Sequence, residues 1–428
     1  MARPRVLFCG LVFPRYPGHS GGEIRDFHLL QEILKHADVE AICLHHTRPA
    51  GQHDPLAARM LRADDPATLV CSRPDLFPGG APKTSRMEHL RNRLVRLGMP
   101  PLGRYHWDAA THLSNAHRYV RRALLEALER EPDVFVVSPQ LNPAGLILPR
   151  VGTHTRWVLA TYDVETVRME RLARAARGVE RWRLQLEARR ARLFETDNLA
   201  RYDGVVAVSK HDRDIFGARY SLDPTRVLAI DNGVDPEYFG FRRRTRSCEP
   251  ELVYVGSLTY APNRQAAAFL LDRVMPRVWA HEPKTRVSIV GQGPDSQLSG
   301  RDDGPRVQVT GRVPDVRPYL ERATLGCFPL LAGSGTKYKV LESLAAGVPL
   351  VCSPIAAEGL DLEHGHHLLV AQGEAETADA ILDLLRDPAR AQTMADAGRE
   401  RVEVRYSWKA ILPPLVPWLT GLGSRTGS

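Results

Sequence analysis

An α/β fold in two domains, each built on a parallel sheet, is what this 428-residue sequence predicts, and three observations predict it. Short runs rich in Val, Ile and Leu alternate with helix-length segments along the chain. The runs are apolar throughout rather than alternating with polar residues, which is the pattern of strands buried on both faces. A turn-rich and then basic stretch at 232–251 interrupts the alternation, and the length itself favours two domains.

Taken in order, the first strand is RVLFCG. The leading segment MARPRVLFCGLVFPRYPG is basic and then apolar, as a secretion signal would be, but Pro14 and Pro17 interrupt it and no small-residue cleavage site follows. VEAICL, DVFVVS, RWVLA and GVVAVS complete the first set of strands, with helices over 22–36 and 111–130. Beyond residue 250 come ELVYVG, RVSIVG, RVQVTG, ATLGCFPL, VPLVCS and HHLLVA, with helices over 264–279, 376–386 and 388–404. No internal repeat is visible, and only the closing GSRTGS reads as disordered.

Bulk properties narrow the class. Apolar residues make up 43% and charged residues 25%, as in ordinary soluble proteins. No apolar run approaches the roughly 20 residues that span a bilayer. The six cysteines form no CxxC pair, and Cys9, Cys43, Cys327 and Cys352 lie in or beside apolar runs, so they read as small buried hydrophobes in a reducing, cytoplasmic setting. The net charge of +8 suits a polyanionic partner: nucleic acid, anionic lipid or nucleotide phosphate.

Several motifs mislead. GQGPDS at 291–296 begins like a dinucleotide fingerprint but lacks its third glycine, and GSGTK at 333–337 lacks the order of a phosphate loop. Asp212 and Asp214 form a DxD, but in SKHDRDIF they read as charge in the first turn of a helix rather than as metal ligands. Three strands of the second half end in glycine, at Gly256, Gly291 and Gly311. Glycine there either turns the chain or lets a ligand approach the backbone outside the carboxyl ends of the strands.

Taken jointly, VYVGSLTYAPNRQAAAFLLDRVMP, SIVGQGP, VQVTGRVPDVRPYLERA, LAGSGTKYKVLESLAAGVPLV, SPIAAEGL and YSW give the second half a resemblance to the retaining glycosyltransferases of family 4 (group 1). TYDVETVRMERL, RYDGVVAVSKHDRDIF and IDNGVDPEYF extend it through the first half, in the family's order. The resemblance implies a GT-B fold: two Rossmann-like domains whose parallel sheets face across a cleft. An acceptor domain would occupy 1–240 and a nucleotide-sugar donor domain 250–405, with 406–428 returning to the first. The implied activity is sugar transfer, of hexosyltransferase type, from a UDP-, GDP- or dTDP-linked donor to a saccharide, lipid-linked or small-molecule acceptor, as in polysaccharide or lipopolysaccharide synthesis. No metal or cofactor is expected.

The same resemblance implies the site. Lys337, after the glycine loop, would meet the charge that develops on the leaving diphosphate, with Lys339 as the second cation. On a helix, Lys337 shares a side with Val340, Leu341 and Leu344, so its stem can pack while its head reaches outward. Glu342 matches the last glutamate of the family's E-x7-E pattern and would accept hydrogen bonds from the ribose diol. Periodicity alone sets Glu342 beside Lys339, as an exposed i, i+3 salt bridge. The first glutamate of the pattern is replaced by Ser334, whose backbone, with that of Gly335 and Thr336, is left to serve the sugar. Ser257 and Arg264 would border the diphosphate, and the backbone at Arg312 and Val313 the base. In the first half, Gly21 and Gly22 precede a helix N-terminus. Asp163 and Glu165 follow a strand, where they either orient hydroxyls or supply helix N-terminal charge.

Two segments are strongly basic. Residues 168–192 hold nine arginines and three glutamates, and RMEHLRNRLVRL at 86–97 sets Met87, Leu90, Leu94 and Leu97 on one stripe. Each reads either as a helix covering a core or as a face for the inner, anionic side of a membrane. Two other functions compete. One is a basic nucleic-acid-binding protein, against which stand the 7% of aromatic residues and the lack of any reader motif. The other is a nucleotide-sugar epimerase of similar architecture.

Overall fold

The computed structural model describes residues 3–12, 21–45, 69–71, 121–139, 146, 148–150, 154–243, 249–293, 296–332 and 338–421. The helix expected at 86–97 lies outside them, as does the first part of 111–130; the rest of that segment forms the helix Arg121–Leu128.

The apolar runs form strands where expected. β1 (Arg5–Val12), β2 (Asp38–His45), β4 (Val134–Val137), β5 (Arg156–Ala160) and β6 (Gly204–Ala207) are joined by two that the sequence did not announce, β3 (Leu69–Cys71) and β7 (Val227–Ala229). Each of those two is three residues long at a sheet edge, where one pairing partner suffices and no long apolar run is needed. The seven pair throughout in parallel in the order β3-β2-β1-β4-β5-β6-β7. The second sheet takes β8 (Glu251–Val255), β9 (Arg286–Val290), β10 (Val307–Gly311), β11 (Leu325–Phe328), β12 (Leu350–Cys352) and β13 (Leu369–Val370) in the order β10-β9-β8-β11-β12-β13, also parallel. Both are doubly wound, and each reverses direction beside its first strand. Such a switch point opens a crevice at the carboxyl ends of the strands.

The chain divides into two compact units, Met1–Ile230 with Leu412–Ser428, and Asp231–Ile411. In the first, Phe135, Trp157, Leu159 and Phe216 are fully or almost fully buried, with the ring of Phe135 edge-on to Trp157 at 5.0 Å. The closing helix Leu415–Gly421 buries Leu415 and Leu419, and the Arg156 guanidinium donates to the Thr420 carbonyl. In the second unit one core runs from Leu252 through Leu344 to Val402. Its long helix passes from Ala261–Phe269 through a π turn at Leu270–Val274 into Met275–His281. Pro276 cannot donate to the carbonyl four residues back, which accounts for the loosened turn.

The turn-rich stretch at 232–251 is packed at its start. The Val234 N–H donates to the Tyr406 carbonyl at 2.9 Å, Trp408 N–H returns to Val234 at 3.2 Å, and Phe239 is buried. Apolar residues spaced through a turn-rich segment were enough to fix it on the second unit. Cys9, Cys327 and Cys352 are buried.

Candidate active site

The switch point of the second sheet gathers part of the expected site. β8 ends at Val255, and the Gly256–Leu258 loop is held by Gly256 N–H to the Val290 carbonyl and Leu258 N–H to the Gln292 carbonyl, both at 2.9 Å. Two glycines permit this. A Cβ on Gly291 would lie 1.8 Å from the Gly256 carbonyl oxygen, and a Cβ on Gly256 would lie 2.9 Å from Lys339 Nζ. At these two positions the glycines serve close approach rather than mere turning.

Lys339 lies in the first turn of the helix Tyr338–Ala345. Its ammonium donates to Asn263 Oδ1 at 2.6 Å, lies 3.4 Å from the Tyr254 hydroxyl and sits 5.0 Å from the centroid of that ring. Asn263 in turn donates to the Ser257 carbonyl at 2.9 Å. Arg264 reaches back to the Leu258 carbonyl at 2.9 Å, and the Ser257 and Thr259 hydroxyls are 2.8 Å apart. Ser257, Arg264 and Lys339 therefore meet around one loop. Gly311, at φ +65, accepts from Gly291 N–H at 3.2 Å, so the chain entering Arg312 and Val313 adjoins the same strand end. Arg312 is exposed and Val313 half-buried.

Glu342 stands one turn beyond Lys339 and departs from the expected surface salt bridge. Lys339 donates to Asn263 and Tyr254, and no donor among the described residues reaches the Glu342 carboxylate. Burial pushes that carboxyl up to about 7, against the opposing pull of the Lys339 charge. A buried carboxylate that no described residue donates to is a candidate acceptor for a ligand's hydroxyls. Lys337, Ser334, Gly335 and Thr336 lie outside the described residues.

In the first unit, Gly21 and Gly22 open the helix Gly21–His36, as expected. A Cβ on Gly22 would lie 2.2 Å from the Tyr162 ring. The Tyr162 hydroxyl donates to Asp26 at 2.6 Å, and the Ser138 hydroxyl donates to its other oxygen at 2.6 Å. Asp26 is buried, and that burial raises its carboxyl to about 6 despite both donors. Gly22→Ala is expected to displace Tyr162 and take one donor from Asp26, costing about 2 kcal/mol. Urea unfolding of Gly22→Ala beside Tyr162→Phe tests this: the two should fall to similar midpoints, and a wild-type midpoint for Gly22→Ala would refute it.

Asp163 and Glu165 part company. Asp163 is half-buried and faces Asp212, whose carboxyl rises to about 6, first through burial and then through the Asp163 charge. Glu165 is only 2% exposed and its carboxylate is bonded to Arg168, one turn on. The side chain expected to meet hydroxyls is thus engaged within its own helix. That helix, Glu165–Ala175, is capped by Glu195, which accepts from the Glu165 and Thr166 N–H groups at 2.8 and 3.1 Å. Asp212 occupies the first turn of the helix Lys210–Tyr220, capped by Ser209 at 3.0 Å, while Asp214 pairs with Arg213. Among the described residues no cluster of His, Cys, Asp or Glu has the makings of a metal site.

Asn263, Tyr254, Tyr162 and Asp26 were not singled out from the sequence. Asp26 had a legible signal: it leads the stripe Asp26, Leu29, Leu30, Ile33, and a carboxylate on a buried stripe needs partners. Asn263 had none, because its role depends on Lys339, 76 residues away.

Two doubly wound parallel-sheet units with polar groups at the switch points define a protein of the GT-B class. Sucrose-phosphate synthase from Thermosynechococcus elongatus has the same fold, at TM-score 0.64 and 17% identity over 96% of this chain and 97% of that one. So does Anabaena HepE in complex with UDP-glucose, at TM-score 0.58 and 13% identity over 98% and 100%. Residues 249–387 match the family model of the glycosyl transferases group 1, and residues 53–233 match the glycosyl transferase 4-like domain. The two matches run over most of the chain, which belongs to the group 1 glycosyltransferases. The phosphatidyl-myo-inositol mannosyltransferase of Mycobacterium leprae is 29% identical over 198 residues, 43% of this chain; the match spans about half of that relative, 51% of its length.

Proposed function

We propose that this chain transfers a sugar, with retention of anomeric configuration, from a nucleotide-sugar donor to a saccharide, lipid-linked or small-molecule acceptor. The observation that carries the reading is the cluster at the second switch point. There Lys339, Ser257 and Arg264 converge on a loop that two glycines hold close, and a carboxylate that receives no donor from the described residues lies one turn away.

The chemistry follows from the charges. As the glycosidic bond of the donor breaks, negative charge grows on the diphosphate oxygen. Lys337 and Lys339 are the cations suited to stabilise it, and the backbone N–H groups of Ser334, Gly335 and Thr336 are left to serve the sugar. Glu342 binds the ribose diol, and Arg312 and Val313 border the base through their backbone. Attack on the same face as the leaving group lets the departing phosphate take the acceptor proton, so no protein base is required. Asp163 orients acceptor hydroxyls, beside the N-terminal turn at Gly21 and Gly22; Glu165 contributes by fixing the helix that follows. The HepE complex with UDP-glucose supports a nucleotide-sugar donor, and the mannosyltransferase relative supports a lipid-linked acceptor. A place in cell-envelope polysaccharide assembly fits both.

Thermal denaturation in the presence of UDP-, GDP- and dTDP-sugars tests the donor. The matching base at a hundredfold excess over Kd should add about 2.7 kcal/mol of stability. Labelled donor and an acceptor panel then test transfer, and the anomeric signal of the product tests retention. No shift with any nucleotide sugar, or an epimerised sugar nucleotide as the sole product, would overturn the proposal.

A further inference from the structure

We infer that the outward face of the helix Gly178–Leu199, with the turn that leads into it, is a docking surface for an anionic lipid bilayer. The inference does not rest on the donor reading, since it concerns a face of the first unit that carries none of the proposed site residues.

The helix has two apolar faces where a packing helix needs one. Leu184, Ala188, Ala191 and Phe194 turn inward, with Leu184, Ala188 and Ala191 against Met169 and Leu172 of the preceding helix. On the opposite side, Val179, Trp182, Leu186 and Leu193 fall at i, i+3, i+7 and i+14, a single stripe. Val179 is 77% exposed, Trp182 56% and Leu193 47%. Three large apolar side chains left in water on one stripe, with a tryptophan at the stem of the turn, form a patch that asks for a partner.

The charges around the stripe identify the partner. Of the nine arginines between 168 and 192, several are consumed inside the helix pair: Arg168 by Glu165, Arg183 by Glu180 and Arg190 by Glu187. Arg177, Arg181, Arg189 and Arg192 are exposed and form no ion pair among the described residues. Arg189 lies seven residues after Trp182, on the same stripe, and Arg177 and Arg181 flank Val179. Guanidiniums beside a tryptophan and aliphatic side chains match the boundary between headgroups and acyl chains, where the ring settles and the cations meet lipid phosphates. A second copy of this chain would bring the same four cations face to face, which disfavours self-association through this surface. A nucleic acid would satisfy the arginines but leave the aliphatic stripe without apolar cover.

The test uses the full chain and vesicles of phosphatidylcholine with and without phosphatidylglycerol, read by co-sedimentation. Binding is expected to the anionic vesicles only and to fall as salt is raised. Arg177→Gln with Arg181→Gln should weaken partitioning about fivefold per arginine. Trp182→Ser should weaken it several-fold, and wild-type emission should blue-shift on binding where that of Trp182→Phe does not. Unchanged far-ultraviolet circular dichroism and melting show that the variants fold. Equal partitioning of wild type and all variants would overturn the inference. So would equal binding to neutral vesicles, retention on single-stranded RNA without vesicle binding, or a dimer that Trp182→Ser dissolves.

Discussion

Glu342→Gln is expected to lose most turnover and, above neutral pH, to melt higher than the wild type. The two effects share one cause. Burial raises the Glu342 carboxyl from its ordinary 4.5 to about 7, with Lys339 offsetting part of the shift. A carboxyl raised in the folded state contributes stability that is fully present below about pH 4.5 and is lost as pH rises through about 7. At pH 8 the wild type therefore carries an ionised carboxylate in a poorly solvated place. Replacing it with an amide relieves on the order of 2 kcal/mol, allowing for the part of the group that water reaches, or roughly 5 °C in melting temperature. At pH 4 the two proteins should melt together. The price in function is the charge-assisted bond to the donor diol, on the order of a hundredfold in kcat/KM. Wild-type donor affinity should tighten from pH 6 to pH 8 as the carboxylate ionises. Matched melts at pH 4 and pH 8, with initial rates at both ends, check all three; unchanged turnover, or no stability gain at pH 8, would refute this account of Glu342.

Gly291→Ala should be the most disruptive small substitution in the second unit. Its methyl would lie 1.8 Å from the Gly256 carbonyl oxygen and 2.8 Å from the carbonyl carbon, both backbone atoms that no rotamer change can move aside. The loop must lift off β9, breaking the hydrogen bonds of Gly256 and Leu258 to Val290 and Gln292. A loss of about 3 kcal/mol or more is expected, together with a marked drop in nucleotide affinity, because Asn263 holds Lys339 by way of the Ser257 carbonyl of that loop. Gly240→Ala is the control: nothing lies within 4 Å of its added methyl, and its effect should be within about 0.5 kcal/mol of zero. Urea midpoints for the pair decide it, and equal midpoints would mean that the strand ends are not packed as described.

Much of the fold was legible because burial on both faces leaves an unmistakable mark. Short, Val- and Ile-rich runs such as DVFVVS and RVSIVG, bounded by turn residues, read as strands covered on both faces, and helix-length segments between them favour parallel pairing. β3 and β7 were missed because three-residue edge strands need too little apolar surface to stand out. Parts of the site were legible for a different reason: the Gly-ended strands and the lysine-glutamate pair occur in one order that resembles a family. Their geometry was not. Sequence spacing set Glu342 beside Lys339 as a surface ion pair, because i, i+3 proximity is local, whereas the bond that takes Lys339 away comes from Asn263 on another helix. Glu165 looked available because its one-turn pairing with Arg168 competes with any ligand only once burial makes that pairing hard to break.

By itself, then, the sequence determined the two parallel-sheet units and the glycine-ended strands of the second, which follow from patterns of burial and backbone freedom that are local; the residues proposed for a nucleoside diphosphate came from the order of motifs that resembles a family. Tertiary structure alone decided which described side chains the protein engages, as Asn263 does Lys339 and Arg168 does Glu165. It also decided that the outer stripe of one arginine-rich helix faces water, since partnership and exposure are set by segments far apart in the chain.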